Sequence, residues 1–364
     1  MSTRGRTFRV ATRGSDLALR QAGAVRVTLE ERRHEVELVE VETEGDRVRD
    51  ELIHRLGKTG AFVRSLDEEI LEGSVDAAVH SMKDMPTEMP DDLVVAGVPE
   101  RAAAGDVLVT PDGATLEELP SGAVVGTSSL RRKAELLAER GDLTVEPLRG
   151  NVDTRVEKLL APTLQAEHAD LVDAVEADDD DTTEDDVDAW FNGLSEVERR
   201  ALERDVEVEY DAIVLAEAGL ERAGLLHHLD YQRLPVRTHV PAPGQGAIAV
   251  TAADGETADL LRELLDHPRT RVETTVERTV LAELGGGCIA PVGIHALIQG
   301  EVVHTTARIL AGDGSEEVMA TRDLPVERHA EAAREFAADL ADRGAADLID
   351  AAREDAGDRE AKRE

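Results

Sequence analysis

The chain has 364 residues, which is enough for two or three domains of ordinary size. Its 78 Asp and Glu residues outnumber its 41 Lys and Arg residues, and the formal net charge of −37 argues against binding to nucleic acid or to an anionic membrane. The single cysteine excludes an intrachain disulfide and a metal site made of several cysteines. No apolar run approaches the roughly 20 residues of a membrane span.

The N-terminal segment has basic residues but no apolar stretch behind them, so we expect no secretory signal and a cytoplasmic protein. Acidic residues occur throughout the periodic segments rather than in one tail. We interpret this as adaptation to a salt-rich cytoplasm, where screening reduces the repulsion between like charges. The sequence has no spacing typical of metal ligands, no P-loop and no GxGxxG motif, so neither a metal nor a nucleotide is expected.

The first part of the chain alternates between predicted strands and helices. Strand-like segments occur at 8–12, 36–43, 75–80 and 93–98. Ser15 is the predicted N-cap of a helix with Ala22, Val25 and Leu29 on one face, and a second helix is predicted over 61–72. The alternation predicts an α/β sheet covered by helices.

The pattern then restarts, with strand-like segments at 123–126, 143–148 and 210–216. Ser128 is the predicted N-cap of a helix over 130–140, and a further helix is predicted over 152–160. The acidic segment 162–209 precedes the last of these strands; in it we expect a helix over 196–204, capped by Ser195 and Glu198, and a mobile stretch over 178–188. A strand at 247–251 is predicted to return to the first sheet.

From residue 266 the pattern changes again. A helix is predicted over 272–284, where three glycines follow, and strands are predicted over 293–300 and 302–311. A final helix is predicted over 327–351. These elements indicate a smaller α+β unit at the C-terminal end.

Five short segments place basic or small polar residues where a predicted strand meets a helix. They are ATRGSDLAL with Arg13 and Ser15, GKTGAF with Lys58, VHSMKDMP with Lys83 and Asp84, VGTSSLRRK with Thr127, Ser128, Ser129, Arg131 and Arg132, and PLRGNVDTR with Arg149 and Arg155. Ligands of open α/β sheets bind beyond the carboxyl ends of the strands, and arginine recognises carboxylates through two parallel hydrogen bonds. Each segment alone is also compatible with an ordinary turn; together they predict a polyanion pocket between two α/β domains.

Two residues stand out for their chemistry. Asp84 follows an apolar strand and lies next to Lys83, where the alternative is a surface ion pair. A carboxylate kept ionised by nearby positive charge would stabilise a cationic intermediate. Cys288 follows three glycines, which favours a thiol presented on a loop over the more common buried cysteine.

These segments resemble the porphobilinogen deaminase family. The patterns ATRxSxLAL, GKxGxF, VHSMKDxP, GTSSLRR, LRGNVxTR, AGLxR, PxxGQG and GGC occur in the family's order from residue 11 to residue 293. The resemblance implies two α/β domains like those of periplasmic binding proteins, formed by 1–101 with 243–264 and by 102–242. It also implies a smaller C-terminal α+β domain, formed by 265–364, with 162–209 as an insertion in the second domain.

The resemblance also implies the chemistry. Porphobilinogen would be the substrate, four molecules of which are joined with loss of ammonia, and a dipyrromethane cofactor would be attached through a thioether to Cys288. Asp84 would be catalytic. The cofactor would be bound by Asp84, Lys83, Ser129, Arg131, Arg132 and Arg155 as well as by Cys288. The substrate would be bound by Arg13, Ser15, Gln21, Lys58, Thr127, Ser128, Arg149, Arg222 and Gln245. The resemblance favours a monomer.

The sequence departs from the family pattern at two positions near these motifs. Arg64 stands where many members have lysine, and Met89 stands where an aromatic residue is common. Two other functions share parts of the pattern. A solute-binding module would have the same two α/β domains, but the loop at Cys288 would have no role in it. A transcriptional effector domain would need a charge suited to DNA, which this chain lacks.

Overall fold

The computed structural model describes residues 5–41, 61–177, 183–285 and 290–361, and the strands of these residues form three separate sheets. The first sheet consists of β1 (Thr7–Arg13), β2 (Glu35–Val41), β3 (Ala77–Ser81), β4 (Leu93–Gly97) and β10 (Ile248–Ala253). Their order is β2-β1-β3-β10-β4, in which β1 is parallel to β2 and β3, and β10 is antiparallel to both of its neighbours. Residues 248–253 therefore return to the first sheet, as predicted.

Within the described ranges, three helices cover the first sheet: α1 (Asp16–Glu31), α2 (Ala61–Leu71) and α8 (Glu256–Leu265). Ser15 caps α1 as predicted, because its side chain accepts a hydrogen bond from the Ala18 backbone N–H at 3.4 Å. Helices α1 and α8 share one core with the sheet, which includes Val25 and Leu261, whereas Leu66 of α2 belongs to another. The sheet thus has helices on both faces, as in doubly wound α/β folds.

The second sheet consists of β5 (Asp106–Val109), β6 (Val124–Gly126), β7 (Thr144–Glu146), β8 (Ala212–Ala216) and β9 (Tyr231–Arg233), in the order β7-β6-β8-β5-β9. Its helices are α3 (Leu130–Glu139), α4 (Val152–Glu176), α5 (Glu184–Gly193), α6 (Glu196–Leu202) and α7 (Glu217–Ala223). Strand β6 is parallel to β7 and β8, just as β1 is parallel to β2 and β3, so each α/β unit has three parallel strands at one side of its sheet.

The third unit has an antiparallel sheet of β11 (Val292–Gln299), β12 (Val302–Leu310) and β13 (Glu317–Pro325). It packs against α9 (Pro268–Glu283), α10 (His329–Asp342) and α11 (Ala345–Ala361) around a core that includes Val276, Ile294 and Phe336. The two α/β units and this smaller α+β unit give the predicted fold class. The exact domain boundaries remain predictions.

Several predicted helix boundaries were wrong. Ser129 rather than Ser128 caps α3, because the Ser128 hydroxyl donates to the Leu148 carbonyl at 2.6 Å and is already engaged. Helix α9 begins at Pro268, four residues before the predicted start at 272, with a proline in its first turn where a missing N–H costs nothing. The predicted single C-terminal helix is two helices divided at Gly344, whose φ of 97° is unfavourable for a residue with a side chain.

The acidic segment 162–209 is more ordered than predicted. Helix α4 continues through Pro162 to Glu176, because Ala161 and Leu164 pack against Ala201 of α6 and tertiary packing outweighs the local cost of a proline. Residues 184–188, expected to be mobile, belong to α5, and 178–182 lie outside the described residues. The capping box of Ser195 and Glu198 is present, as predicted.

Helix α6 lies within the predicted insertion 162–209 but belongs to the core of the second unit. Val197 is buried with Leu148, Val156 and Leu159, and the carboxylate of Glu157 on α4 is paired with Arg200 and Arg204. Helix α5, by contrast, has no buried residue. The predicted insertion 162–209 therefore contains one helix that contributes to the core, α6, and one helix with no buried residue, α5.

We expect Val197→Ala to destabilise the second unit by about 2 kcal/mol, because it removes two buried carbon groups and leaves a cavity. Chemical unfolding in concentrated salt measures the change in midpoint. Val187→Ala on α5 is the matched control and should stay within about 0.5 kcal/mol of the parent. Equal effects of the two substitutions would contradict the assignment of α6 to the core.

Candidate active site

The turn that follows β3 carries the two central residues of the VHSMKDMP motif. Residues Met82–Asp84 form one 3-10 turn, and the Met82 backbone N–H donates to the Ala247 carbonyl at 3.0 Å. Met82 and Met85 are buried in the first unit, whereas Lys83 is half-buried and Asp84 is exposed. The methionines anchor the turn, and the two charged side chains are presented at the carboxyl end of a strand.

A buried ionic centre lies opposite, in the second unit. Asp106 at the start of β5 accepts hydrogen bonds from Arg131 Nη2 at 2.6 Å and from Arg132 Nη2 at 2.7 Å. Burial alone would raise the pKa of Asp106, but the two guanidinium groups outweigh it and hold that pKa far below its usual range. One carboxylate thereby fixes two adjacent arginines in the first turn of α3.

Most of the remaining donors of these arginines are also engaged. Arg131 Nη1 donates to Glu135 Oε2 at 2.7 Å and to the Val240 carbonyl at 2.9 Å, and Arg132 Nη1 donates to the Val214 carbonyl at 3.2 Å. Burial raises the pKa of Glu135 to about 7, although Arg131 opposes the shift. The Nε atoms of Arg131 and Arg132 are buried and have no hydrogen-bond partner in the described part of the chain. A carboxylate of a bound group would satisfy such donors.

Lys83 and Arg155 extend the positive charge across to Asp84. Burial lowers the pKa of Lys83 to about 8; Asp84 opposes this shift and Arg132 adds to it. Burial likewise lowers the pKa of Arg155 to about 10, with Arg132 adding to the shift and Asp84 opposing it. Lys83 and Asp84 of the first unit therefore lie near enough to Arg132 and Arg155 of the second unit to act on them electrostatically, and we refer to the region between these side chains as the cleft.

The other predicted residues have varied surroundings. Arg13 ends β1 and Arg149 precedes α4, and both are half-buried. Arg222 Nη2 donates to the Gly246 carbonyl at 2.6 Å, and burial lowers its pKa. Gln245 is buried and donates to Asp106 Oδ1 at 2.8 Å, while Gln21 is buried on α1.

The small polar residues mostly have structural hydrogen bonds. Thr127 Oγ1 accepts from the Ser129 backbone N–H at 3.2 Å, and Ser15, Ser128 and Ser129 make the bonds given above. Lys58 and Cys288 lie outside the described residues. The structure thus brings together Lys83, Asp84, Arg131, Arg132 and Arg155, and it leaves the attachment of a cofactor to Cys288 untested.

Two buried acids, Asp106 and Glu277, hold the arginines of this region in place and were not singled out from the sequence. Asp106 directly precedes the apolar run Val107–Val109, and a lone acid at the start of a buried strand was the available signal. Glu277 on α9 is fully buried; it binds both Nη atoms of Arg101 and accepts from the backbone N–H groups of Gly244 and Ala296. Glu277 joins the third unit to the segments that cross between the first two.

Two family models match this chain. The porphobilinogen deaminase, dipyromethane cofactor binding domain matches residues 8–169 and 195–260, and the porphobilinogen deaminase C-terminal domain matches 272–342. The chain belongs to the porphobilinogen deaminase family. The stretch that interrupts the match of the first model is 170–194, which is shorter than the predicted insertion 162–209 and does not include α6.

The curated relatives agree. A probable porphobilinogen deaminase of Halobacterium salinarum is 57% identical over 96% of this chain and 99% of that protein. A porphobilinogen deaminase of Brevibacillus brevis is 38% identical over 85% of this chain and 86% of that protein. Among solved structures, a periplasmic substrate-binding protein of an ABC transporter from Coxiella burnetii matches with 14% identity and a TM-score of 0.35, covering 72% of this chain and 94% of that one.

Family membership carries the family's activity, a transferase reaction of tetrapyrrole biosynthesis that consumes porphobilinogen, and its dipyrromethane cofactor. Over the described ranges, no helix is both long and apolar enough to cross a membrane. Within the same ranges, no group of three or more His, Cys, Asp or Glu side chains is arranged to hold a metal ion.

We expect Asp106→Asn to destabilise the protein and to prevent cofactor retention, because it leaves two buried guanidinium groups without their shared carboxylate. Removing one partner of a buried ion pair costs about 3–5 kcal/mol. Thermal unfolding and the intact mass measure the two effects. Asp142→Asn, which removes the exposed partner of Arg140, is the control and should cost less than about 1 kcal/mol. An Asp106→Asn protein with parental stability and a full complement of bound pyrrole would contradict this role.

Proposed function

We propose that this chain joins four porphobilinogen molecules head to tail with loss of ammonia and then releases hydroxymethylbilane by hydrolysis. We further propose that Cys288 carries the dipyrromethane through a thioether and that Asp84 is the catalytic carboxylate. The observation that supports this assignment best is the cluster of Lys83, Arg131, Arg132 and Arg155 around Asp84 on one cleft. A reaction that adds two carboxylates with every substrate unit needs such a cluster.

The residues present fit a dipyrromethane. Its acetate and propionate groups are anionic, and the cleft offers the buried Nε donors of Arg131 and Arg132 beside the charges of Lys83 and Arg155. Together with Ser129, these residues would hold the cofactor. When bound, the cofactor would supply the pyrrole carbon at which the first carbon–carbon bond forms, and each later bond would form at the free end of the growing chain.

Asp84 would act on the substrate when its carbon–nitrogen bond breaks. Ammonia leaves the aminomethyl carbon of porphobilinogen, and the remaining pyrrole carries a positive charge. An ionised Asp84 stabilises that charge through the pyrrole N–H. After the carbon–carbon bond forms, the attacking carbon loses its proton, which the Asp84 carboxylate would accept.

The remaining predicted residues are proposed to bind the substrate. Arg13 ends β1, Arg149 shortly precedes α4, and Arg222 lies in the last turn of α7. Lys58 is proposed on the GKTGAF motif alone. The polar residues Ser15, Gln21, Thr127, Ser128 and Gln245 are likewise proposed to bind the substrate, in addition to the hydrogen bonds described above. We also propose that the enzyme is a hydroxymethylbilane synthase that works as a cytoplasmic monomer.

A solute-binding protein is the alternative, because two α/β units around an anion-binding cleft would suit it as well. Release of ammonia distinguishes the two functions. The purified chain should release one ammonia for every porphobilinogen consumed, whereas a binding protein would release none.

We expect Asp84→Asn to lower kcat by about 10²–10³ and to change KM for porphobilinogen by less than about threefold, because the substitution removes a charge that acts in the transition state. Steady-state ammonia release measures both constants. Asp76→Asn is the control, because Asp76 forms a half-buried pair with Arg6 at the other end of β3. Near-parental kcat in Asp84→Asn would eliminate Asp84 as the catalytic carboxylate.

The pH dependence should report Lys83. Because the pKa of Lys83 is lowered to about 8, its ammonium group is present below that pH and is lost as the pH rises through it. We therefore expect kcat/KM for the anionic substrate to fall above pH 8. Arginine remains protonated in this range, so Lys83→Arg should remove the fall, even if its overall activity is lower. A fall that persists unchanged in Lys83→Arg would show that another group titrates.

A further inference from the structure

Helix α9 of the third unit reaches the turn that carries Lys83 and Asp84 through a single side chain. Arg278 Nη2 donates to the Pro86 carbonyl at 2.6 Å, and Nη1 donates to the Met85 carbonyl at 3.3 Å and to the Met82 carbonyl at 3.4 Å. The Met82 carbonyl lies immediately before Lys83, and the carbonyls of Met85 and Pro86 belong to the two residues that follow Asp84. One planar group thus binds the backbone on both sides of the two charged residues.

Arg278 is half-buried, as are the two other arginines of this interface, but it differs from them in its partners. Arg101 and Arg271 contact the same border between units, and they pair with Glu277 and Asp266. Arg278 has no ion pair with any residue in the described ranges, and burial lowers its pKa. A desolvated guanidinium without a carboxylate is costly, so its contact with the turn is a specific feature rather than a by-product of packing.

The turn is not closely packed on this side. A cavity of about 250 Å³ lies between it and α9 and is lined by Met82, Thr87, Arg278 and Thr279, among others. Met82 and Met85 anchor the turn to the core of the first unit on the other side. Toward α9, therefore, hydrogen bonds from Arg278 determine its position.

Helix α9 is also held in place by Glu277, the residue before Arg278, and it leads to Cys288, the predicted attachment point of the cofactor. Glu277 binds Arg101 and the Gly244 backbone N–H, which ties α9 to the segments that cross between the α/β units. Helix α9 ends at Glu283, five residues before Cys288. It thus contacts the turn at one point and leads to Cys288 in the sequence.

We propose that Arg278 is a positioning residue, which holds the Lys83–Asp84 turn in a fixed relation to the helix that leads to Cys288. Its effect on turnover rests on the proposed roles of Asp84 and Cys288. Its effect on the mobility of the turn does not, and can be measured separately.

The test compares Arg278→Lys and Arg278→Met with Arg271→Lys. Arg271 is the matched control, because it lies on the same helix and donates to the Val95 and Ala96 carbonyls of β4 rather than to the turn. Lysine cannot reproduce the planar fork that spans separate carbonyls. The readouts are the intact mass, amide hydrogen exchange, kcat and KM of each full-length protein.

Both Arg278 variants should retain the bound pyrrole mass and exchange the amides of residues 82–88 at least about tenfold faster than the parent. Their kcat should fall at least about tenfold with KM changed by less than about threefold, since small misplacements of a catalytic group reduce the rate strongly. Arg271→Lys should change neither the exchange of the turn nor kcat.

Unchanged exchange over 82–88 in both Arg278 variants would overturn the proposal. So would an equal fall of kcat in Arg271→Lys, which would indicate a general loss of contact between units, or a raised KM with parental kcat, which would indicate substrate binding. If Arg278→Met does not fold, Arg278→Lys decides by the same criteria. A parent that forms no product would refute the proposed function, and the exchange comparison would still decide the role of Arg278.

Discussion

The site depends on one buried carboxylate. Asp106 holds the guanidinium groups of Arg131 and Arg132 side by side, and without it their mutual repulsion and desolvation would force them apart. The chain as a whole has a net charge of −37, so its anionic substrate can be attracted only by a local concentration of cations. Because the centre is buried, salt screens it much less than it screens the surface ion pairs. A strongly acidic protein can in this way keep a cationic cleft in concentrated salt.

The segments that cross between units connect this centre to the rest of the molecule. Gln245 donates to Asp106 and to the Ala104 carbonyl, and Gly246 approaches the first crossing segment so closely that a Cβ atom would lie 2.6 Å from the Ala102 carbonyl oxygen. Glu277 then fastens the third unit to the same crossing through Arg101. The cleft, the crossing segments and the helix that leads to Cys288 are thus parts of one network of buried polar contacts.

Short-range signals in the sequence were reliable where a local interaction decides the structure. The cap at Ser15, the capping box of Ser195 with Glu198, and the return of the strand predicted over 247–251 to the first sheet are present, the strand as Ile248–Ala253. Predictions failed where distant residues decide. The Ser128 hydroxyl donates to the distant Leu148 carbonyl and therefore does not cap α3. Helix α4 continues past Pro162 because it packs against α6. Strand β13 was not predicted, because its burial pattern shows little alternation. The family motifs identified the cationic residues, but the role of Asp106 became visible only when its partners from α3 were seen beside it.

The central claim is that this cationic cleft serves a dipyrromethane attached to Cys288. The most direct test is the intact mass of the denatured chain, compared with that of Cys288→Ser. We expect the parent to be heavier than its 39.3 kDa sequence by one dipyrromethane and the variant to lack that increment. A parent at the mass of its sequence, or a Cys288→Ser protein that keeps the increment, would contradict this claim.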